Sequence, residues 1–268
     1  MATILGLVLA IGSILGGLIL EGGSLRDVRQ LTAAMIVLGG TLGAVMVATP
    51  LEVCKAAFQR LLSVLLHRAH PVAATLDSIV HFAERARRNG LASLEDEASN
   101  VDDPFLAKAL NLAVDGTEIA EIRSMMLLDL QMEEERAEAI AKVWEAAAGY
   151  APTIGIIGAV LGLIQVMKNL QNLDEVGRGI AVAFVATVYG VASANLLFLP
   201  AASKLRARDR RLFQMREMVV EGVVAIAEGM NPKLIRLKLE AFAPVAQPLK
   251  ARSGAVRMHA AQVATNKS

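Results

Sequence analysis

The sequence carries one cysteine, Cys54, in 268 residues. A lone thiol builds no internal disulfide framework and falls well short of the roughly four ligands that a structural zinc site needs. The four histidines, His67, His70, His81 and His259, are scattered through polar stretches and show no metal-ligand spacing, so neither a metal nor another cofactor is expected. Charge of one sign is also missing, with 27 Lys and Arg against 26 Asp and Glu. A net charge of +1 supplies no field to hold a polyanion, which excludes nucleic acid as a partner. There is no Gly-rich phosphate loop with its Lys, no Gly-x-Ser-x-Gly elbow and no His-Glu-x-x-His pair, so an enzyme is not expected. With 8 prolines, 4% aromatics and long stretches rich in Ala, Leu, Val and Glu, the composition points to an all-α protein.

What is abundant is apolar: 54% hydrophobic residues and a mean hydropathy of +0.49. Four runs contain no Asp, Glu, Lys or Arg: residues 2–20, 31–51, 146–167 and 179–203. Each is about as long as the roughly 20 helical residues needed to cross 30 Å of hydrocarbon. The expectation is a polytopic membrane protein with four transmembrane helices in two hairpins, joined by short loops at 21–30 and 168–178. The first run is expected to stay as an anchor and not as a cleaved leader, because no Lys or Arg precedes it.

Between the hairpins lies a large insertion, residues 52–145, followed at the far end by a basic segment, residues 204–268. Lys204, Arg206, Arg208, Arg210 and Arg211 crowd directly after the fourth run, which places that end in the cytoplasm by the positive-inside rule. An even number of spans puts both termini and the insertion on the same side. The insertion reads as helix almost throughout, with breaks near His70-Pro71, at Asn89-Gly90 and around Asp102 to Pro104. It holds 17 acidic and 10 basic residues, whereas the segment from Lys204 holds 13 basic and 5 acidic. Segments of opposite sign suit docking against each other, or serve as solvated faces. Gln247 to Ser268 lacks a clear period and reads as a disordered tail.

Inside the runs, Gly12 and Gly16, Gly39 and Gly43, and Gly158 and Gly162 repeat at the spacing that lets helix backbones approach closely in lipid. No ionisable group occurs there. The polar side chains include Thr41, Thr49, Thr153, Gln165, Thr187, Tyr189, Ser193 and Asn195, which line a hydrated path or bond across helices but do not titrate at ordinary pH. If the protein conducts protons, a partner must bring the titrating group. Pro152 and Pro200 sit near the ends of the third and fourth runs, where each is either a helix-end proline or a device that frees a carbonyl.

Gly12-Ser13-Ile14-Leu15-Gly16-Gly17, Glu21-Gly22-Gly23-Ser24, Val37-Leu38-Gly39-Gly40-Thr41, Ala151-Pro152-Thr153-Ile154-Gly155-Ile156-Ile157-Gly158 and Ala186-Thr187-Val188-Tyr189-Gly190 resemble the MotA/PomA stator subunits of the bacterial flagellar motor. The resemblance runs from Ile4 to Ala243 and takes in all four runs and the insertion. It implies an inner-membrane, homo-oligomeric ring, a pentamer in that family, embedded in lipid. The ring surrounds a MotB-type single-span partner that binds peptidoglycan and carries the ion-binding aspartate. Ion flow through such a stator drives torque on the rotor protein FliG.

By the same resemblance, Pro152 and Pro200 correspond to the family's functional prolines, and Thr187 to the threonine beside the ion path. Ala159 stands where sodium-driven relatives carry a threonine. A methyl group offers no hard oxygen to a dehydrating sodium ion, which implies a proton-driven stator. Arg85 to Glu95 resembles the rotor-contacting segment, with Arg87 and Glu95 as its charged pair and Arg88 as a nearby candidate; by residue type alone it is a solvated charged turn. Two alternatives stay open: an ExbB/TolQ-type energiser of outer-membrane processes and a non-conducting helical scaffold.

Overall fold

Helix α1 (Ala2–Leu20) carries no charged side chain and ends where the chain needs a left-handed residue. Gly22 supplies it, with φ of 85°, so that the Gly22 and Gly23 amides donate to Ile19 O and Leu18 O at 3.0 and 2.9 Å. Ser24 then caps the short α2 (Leu25–Val28): its Oγ accepts from the Arg26 amide at 3.1 Å, and Asp27 Oδ2 accepts from the Ser24 amide at 2.8 Å. A computed structural model describes residues 2–66 and 72–242. Helix α3 (Leu31–Ala34), a wide π-type turn (Met35–Gly39) and α4 (Gly40–Ala48) form one continuous path. It stops at Ala48 rather than at Leu51, because Pro50 forces the preceding residue out of the helical region and Thr49 is extended at φ −136°, ψ 136°. Leu51 instead opens α5 (Leu51–Leu66).

The described part of the insertion is helical, as expected. Helix α6 (Val72–Asn89) ends at Gly90, whose φ is 84°. A 3-10 turn (Leu91–Leu94) leads into α7 (Glu95–Ala98). Asp103 then caps α8 (Pro104–Val114), accepting from the Phe105 amide at 3.0 Å with Pro104 in the first turn. The breaks at Asn89-Gly90 and before Pro104 are therefore where the sequence places them. The expected break at His70-Pro71 and the tail from Gln247 lie outside the described residues.

Helix α9 (Ile119–Lys168) runs 50 residues without interruption, so the end of the insertion and the third apolar run are one rod. The following loop is shorter than the expected 168–178. Asn172 caps α10 (Leu173–Ser193) by accepting from the Asp174 and Glu175 amides at 3.1 and 3.4 Å, and those two acidic side chains suit the positive helix start. A second π-type turn (Ala194–Phe198) joins α10 to α11 (Leu199–Ala227), and α12 (Pro232–Leu239) follows. Among the described residues all regular structure is helical. Leu25–Ala48, Ile119–Lys168 and Leu173–Ala227 contain windows long and apolar enough to cross a membrane, while Leu5–Leu20 is a shorter apolar helix.

The chain divides into two compact units, Met1–Ala69 with Leu128–Phe213, and His70–Leu127 with Gln214–Ser268. The first is held by small residues. Ala33, Val37, Val185 and Ala186 form one buried cluster, and Val45, Ala57, Val143 and Ala147 form another against Trp144 and Phe198. The second has bulkier contents, including Ile79, Leu110, Ile122, Met126, Met218 and Ile235, all fully enclosed. Its rim is tied by charge. Asp77 accepts from Arg236 at 2.8 Å, and Glu221 is held by Arg123 and, at 2.5 Å, by Lys238. Burial would raise the Glu221 carboxyl, but the bonds from Lys238 and Arg123 outweigh it and hold the group below the usual carboxylate range.

Candidate functional site

In the first unit α9 and α10 meet along a seam with almost no side chains. A Cβ on Gly162 would stand 2.7 Å from Gly179 O, one on Gly158 would stand 2.8 Å from Ala186 Cβ, and one on Gly155 would stand 2.9 Å from Ala186 O. On the facing helix, a Cβ at Gly190 would lie 2.5 Å from Ala151 O and 3.1 Å from Pro152 Cα. Glycine along this line lets the two backbones touch, so dispersion contact replaces the hydrophobic drive that lipid removes. Of the three glycine pairs noted in the sequence, Gly158 and Gly162 are used in this way. A Cβ on Gly12, Gly16, Gly39 or Gly43 would meet no other part of the described chain within 4 Å.

Two of the site residues expected from sequence belong to this seam. Pro152 backs onto Gly190, and Thr187 Cα lies 3.4 Å from where a Gly155 side chain would begin. Ala159 is half-buried next to Gly158 on α9. Pro200 lies further along the path, the second residue of α11, directly after the π-type turn.

Neither proline ends a helix. Pro152 is interior to α9, where it cannot donate to the carbonyl one turn earlier, that of buried Ala148. Pro200 likewise sits within a continuous helical path, and the wide turn before it absorbs the break in the hydrogen-bond ladder. The position-based reading as helix-end prolines is thus corrected.

The hydroxyl donors expected to line a path are mostly spent locally. Thr187 Oγ1 donates to Ala183 O at 3.3 Å, Thr41 Oγ1 to Val37 O at 2.6 Å, Thr153 Oγ1 to Tyr150 O at 2.8 Å and Ser193 Oγ to Gly190 O at 3.1 Å. Each keeps its oxygen lone pairs as acceptors. Tyr189 does something the sequence did not reveal: its hydroxyl donates to Val28 O at 2.6 Å and accepts from the Gln30 amide at 3.4 Å, pinning α10 to the segment after α2. No periodic or motif signal marks that tether.

Beyond the apolar stretch, the acidic insertion and the basic segment do dock. Arg206 Nε and Nη2 donate to Glu138 at 3.0 and 2.7 Å, Nη2 also reaches Glu145 Oε2 at 2.7 Å, and Nη1 bonds Glu145 Oε1. Those bonds hold both carboxyls below the usual carboxylate range, against a smaller opposing effect of burial, and raise the guanidinium. Arg60 Nη2 meets the buried Asp209 Oδ1 at 2.7 Å. Among the described residues no group of three or more His, Cys, Asp or Glu stands together in a way that could hold a metal ion.

In the second unit, Arg87, Arg88 and Glu95 are all exposed, yet their circumstances differ. Arg88 is engaged by Glu84 at 3.3 Å, one turn back on α6, and the neighbouring Arg85 is paired with Glu97. Arg87 and Glu95 make no ion pair among the described residues. Gly90 breaks the chain between them, and Arg87 borders a cleft of about 210 Å³ with Gly90, Leu91 and Met230. Two uncommitted charges of opposite sign, on either side of the Gly90 turn, suit a transient, electrostatically registered contact.

The sequence model of the MotA/TolQ/ExbB proton channel family matches residues 97–218, and that of the motility protein A N-terminal region matches residues 4–90. Motility protein A of Bacillus subtilis is 35% identical over 252 residues, covering 92% of this chain and 92% of that protein. Among solved structures, that of C. jejuni MotAB superposes with a TM-score of 0.87 at 35% identity, over 92% of this chain and 97% of that one. The flagellar MotAB stator complex from Bacillus subtilis gives 0.85 at 34% identity, over 94% and 99%.

Proposed function

This chain belongs to the motility protein A family, and on that premise we propose that it is a stator subunit of the bacterial flagellar motor, working with a MotB-type partner. The observation that carries the reading is end-to-end likeness to MotAB structures, across nearly the whole of both chains. A second observation agrees with it. The four apolar runs hold no Asp, Glu, His, Lys or Arg, so proton conduction through them needs a titrating group from elsewhere, and a single-span subunit with a membrane aspartate supplies one.

In this reading the chain spans the inner membrane four times, in two hairpins, with both termini and the insertion in the cytoplasm, and assembles in lipid as a ring of five around the partner. Residues 1–51 and 146–203 are the two hairpins, residues 52–145 hold the rotor-contacting domain, and residues 204–268 complete the cytoplasmic part. Pro152, Ala159, Thr187 and Pro200 border the ion path. The helix-interior prolines free carbonyls toward it, and Thr187 keeps an acceptor lone pair for water. Ala159 leaves out the oxygen that a sodium site needs, so the conducted ion is the proton. Arg87 and Glu95, with Arg88 beside them, meet FliG and convert ring movement into torque.

Purification from native membranes with identification of the co-purifying chain tests this. A single-span protein with a membrane aspartate and a peptidoglycan-binding domain supports the stator. An ExbD/TolR-like companion would redirect the function to outer-membrane energisation, and no single-span companion would leave a scaffold.

A further inference from the structure

Of the charged side chains that straddle the Gly90 turn, the pair further from it in sequence is joined and the nearer pair is not. Arg85 of α6 bonds Glu97 of α7, whereas Arg87 and Glu95 make no ion pair among the described residues. Helical geometry accounts for the difference. Residues two apart on a helix lie about 200° round its axis from one another, so where Arg85 and Glu97 meet, Arg87 and Glu95 are turned away from the gap between α6 and α7. Contacts on α6 agree. His81, one turn before Arg85, stands 3.9 Å from the same Glu97 carboxylate, which makes this the face that looks at α7. Arg87, on another face, borders the cleft lined by Ala83, Ile226 and Met230.

Helix α7 needs such a tie. It is a single turn, too short to hold its conformation by its own hydrogen bonds. Leu94 and Ala98 are fully enclosed and, one turn apart, form a single line of anchorage about which the segment can roll. Glu95 and Glu97 lie on opposite flanks of that line, about 80° to either side. A bond on the Glu97 flank removes the roll and so fixes where Glu95 points. Glu97 is committed to that bond: its side chain is 26% exposed, its Oε2 is enclosed and takes no hydrogen bond among the described residues, and Arg85 supplies the charge that offsets its burial.

We propose that Arg85 and Glu97 are positioning residues for the rotor contact: their ion pair stops α7 from rolling, which keeps Glu95 from closing on Arg87 and leaves both charges for the partner. This rests on the reading of Arg87 and Glu95 as rotor-facing charges and adds what holds them apart. Opposite charges eight positions apart with a glycine between them attract one another across the turn, and a pair formed within the chain would leave nothing to register a partner. Arg88 is kept out of that competition by Glu84 on its own helix. Leu94 and Ala98 keep the segment in the core whether or not the strap is present, so its loss changes facing and not fold.

The full chain is tested in cells that hold its single-span partner and the rotor protein. Glu97→Gln and Arg85→Gln should each weaken the rotor contact about fivefold, read as lowered torque, while the melting temperature of the solubilised subunit falls by about 4 °C at most. Arg85→Glu with Glu97→Arg in one chain should restore the torque. Facing is read separately, in a Cys54→Ser chain diluted with unlabelled copies. Nitroxide labels on Arg87→Cys and Glu95→Cys should give one narrow distance distribution, and adding Glu97→Gln should broaden it toward shorter distances, a change that lost stability alone does not produce. Undiminished torque in both single variants, a torque loss that the exchanged pair does not restore, or a distance distribution that Glu97→Gln leaves unchanged overturns the strap and leaves the rotor contact. Full torque in Arg87→Glu as well overturns the rotor reading itself.

Discussion

Gly190 leaves no room for a side chain because Pro152 and the carbonyl of Ala151 occupy the space: a Cβ there would stand 3.1 Å from Pro152 Cα and 2.5 Å from Ala151 O. The non-donating residue of α9 and the side-chain-free residue of α10 thus define one another's position. Gly190→Ala should force the helices apart and cost about 1–3 kcal/mol, the usual penalty of overpacking. Gly39→Ala, with nothing within 4 Å, should leave the thermal unfolding of the detergent-solubilised subunit almost unchanged. Equal losses in both variants would contradict the seam.

Pro152→Ala separates stability from function. The new amide can donate to Ala148 O, so the subunit should gain about 1–3 kcal/mol in thermal unfolding. Swimming should nevertheless fail if the freed carbonyl takes part in conduction. A stabilised and fully motile variant would remove Pro152 from the ion path.

Arg206→Gln addresses the docking of the insertion on the basic segment. Glu138 and Glu145 have carboxyls lowered by Arg206 from the ordinary 4.5. Their stabilisation is complete above that value and disappears as pH falls through the lower folded-state one. The variant should melt earlier than wild type at pH 7, and the difference should shrink as pH falls below 4.5. An unchanged difference at acid pH would show that packing, not charge, is what Arg206 contributes.

The exposed corner at Gly90 makes a graded prediction. Arg87→Glu turns an uncommitted cation into a repulsive contact, about 1 kcal/mol for an exposed pair, and should lower torque without altering thermal stability. A matching reversal on the rotor protein should restore part of it. Arg88→Glu loses only the Glu84 pair and should matter less. The reverse ranking would move the rotor contact away from Arg87.

The legible part of this fold is the part written in long-range pattern. The first two charge-free runs fall on helical stretches to within a few residues, whereas the third and fourth lie inside the longer stretches Ile119–Lys168 and Leu173–Ala227; Gly90 and Pro104 marked the breaks, because backbone sterics act on sequence directly. The helix ends misread were those set by a neighbour: Pro50 stopped α4 early, and Asn172 let α10 begin inside the expected loop. The seam was half legible. Gly158 and Gly162 are a spacing motif, but their partners Ala186 and Gly179 follow only from the antiparallel register. Contacts such as Tyr189 with Val28 and Arg60 with Asp209 join residues 161 and 149 positions apart, and single-sequence periodicity holds no signal for them.

The most direct measurement is the rotation of tethered cells that lack the chromosomal copy and express this chain with its single-span partner. Rotation should appear on expression, persist when sodium is replaced by potassium at constant proton-motive force, and stop when a protonophore collapses the proton gradient. Cells that stay paralysed, or that rotate undiminished without a proton gradient, would contradict a proton-driven stator.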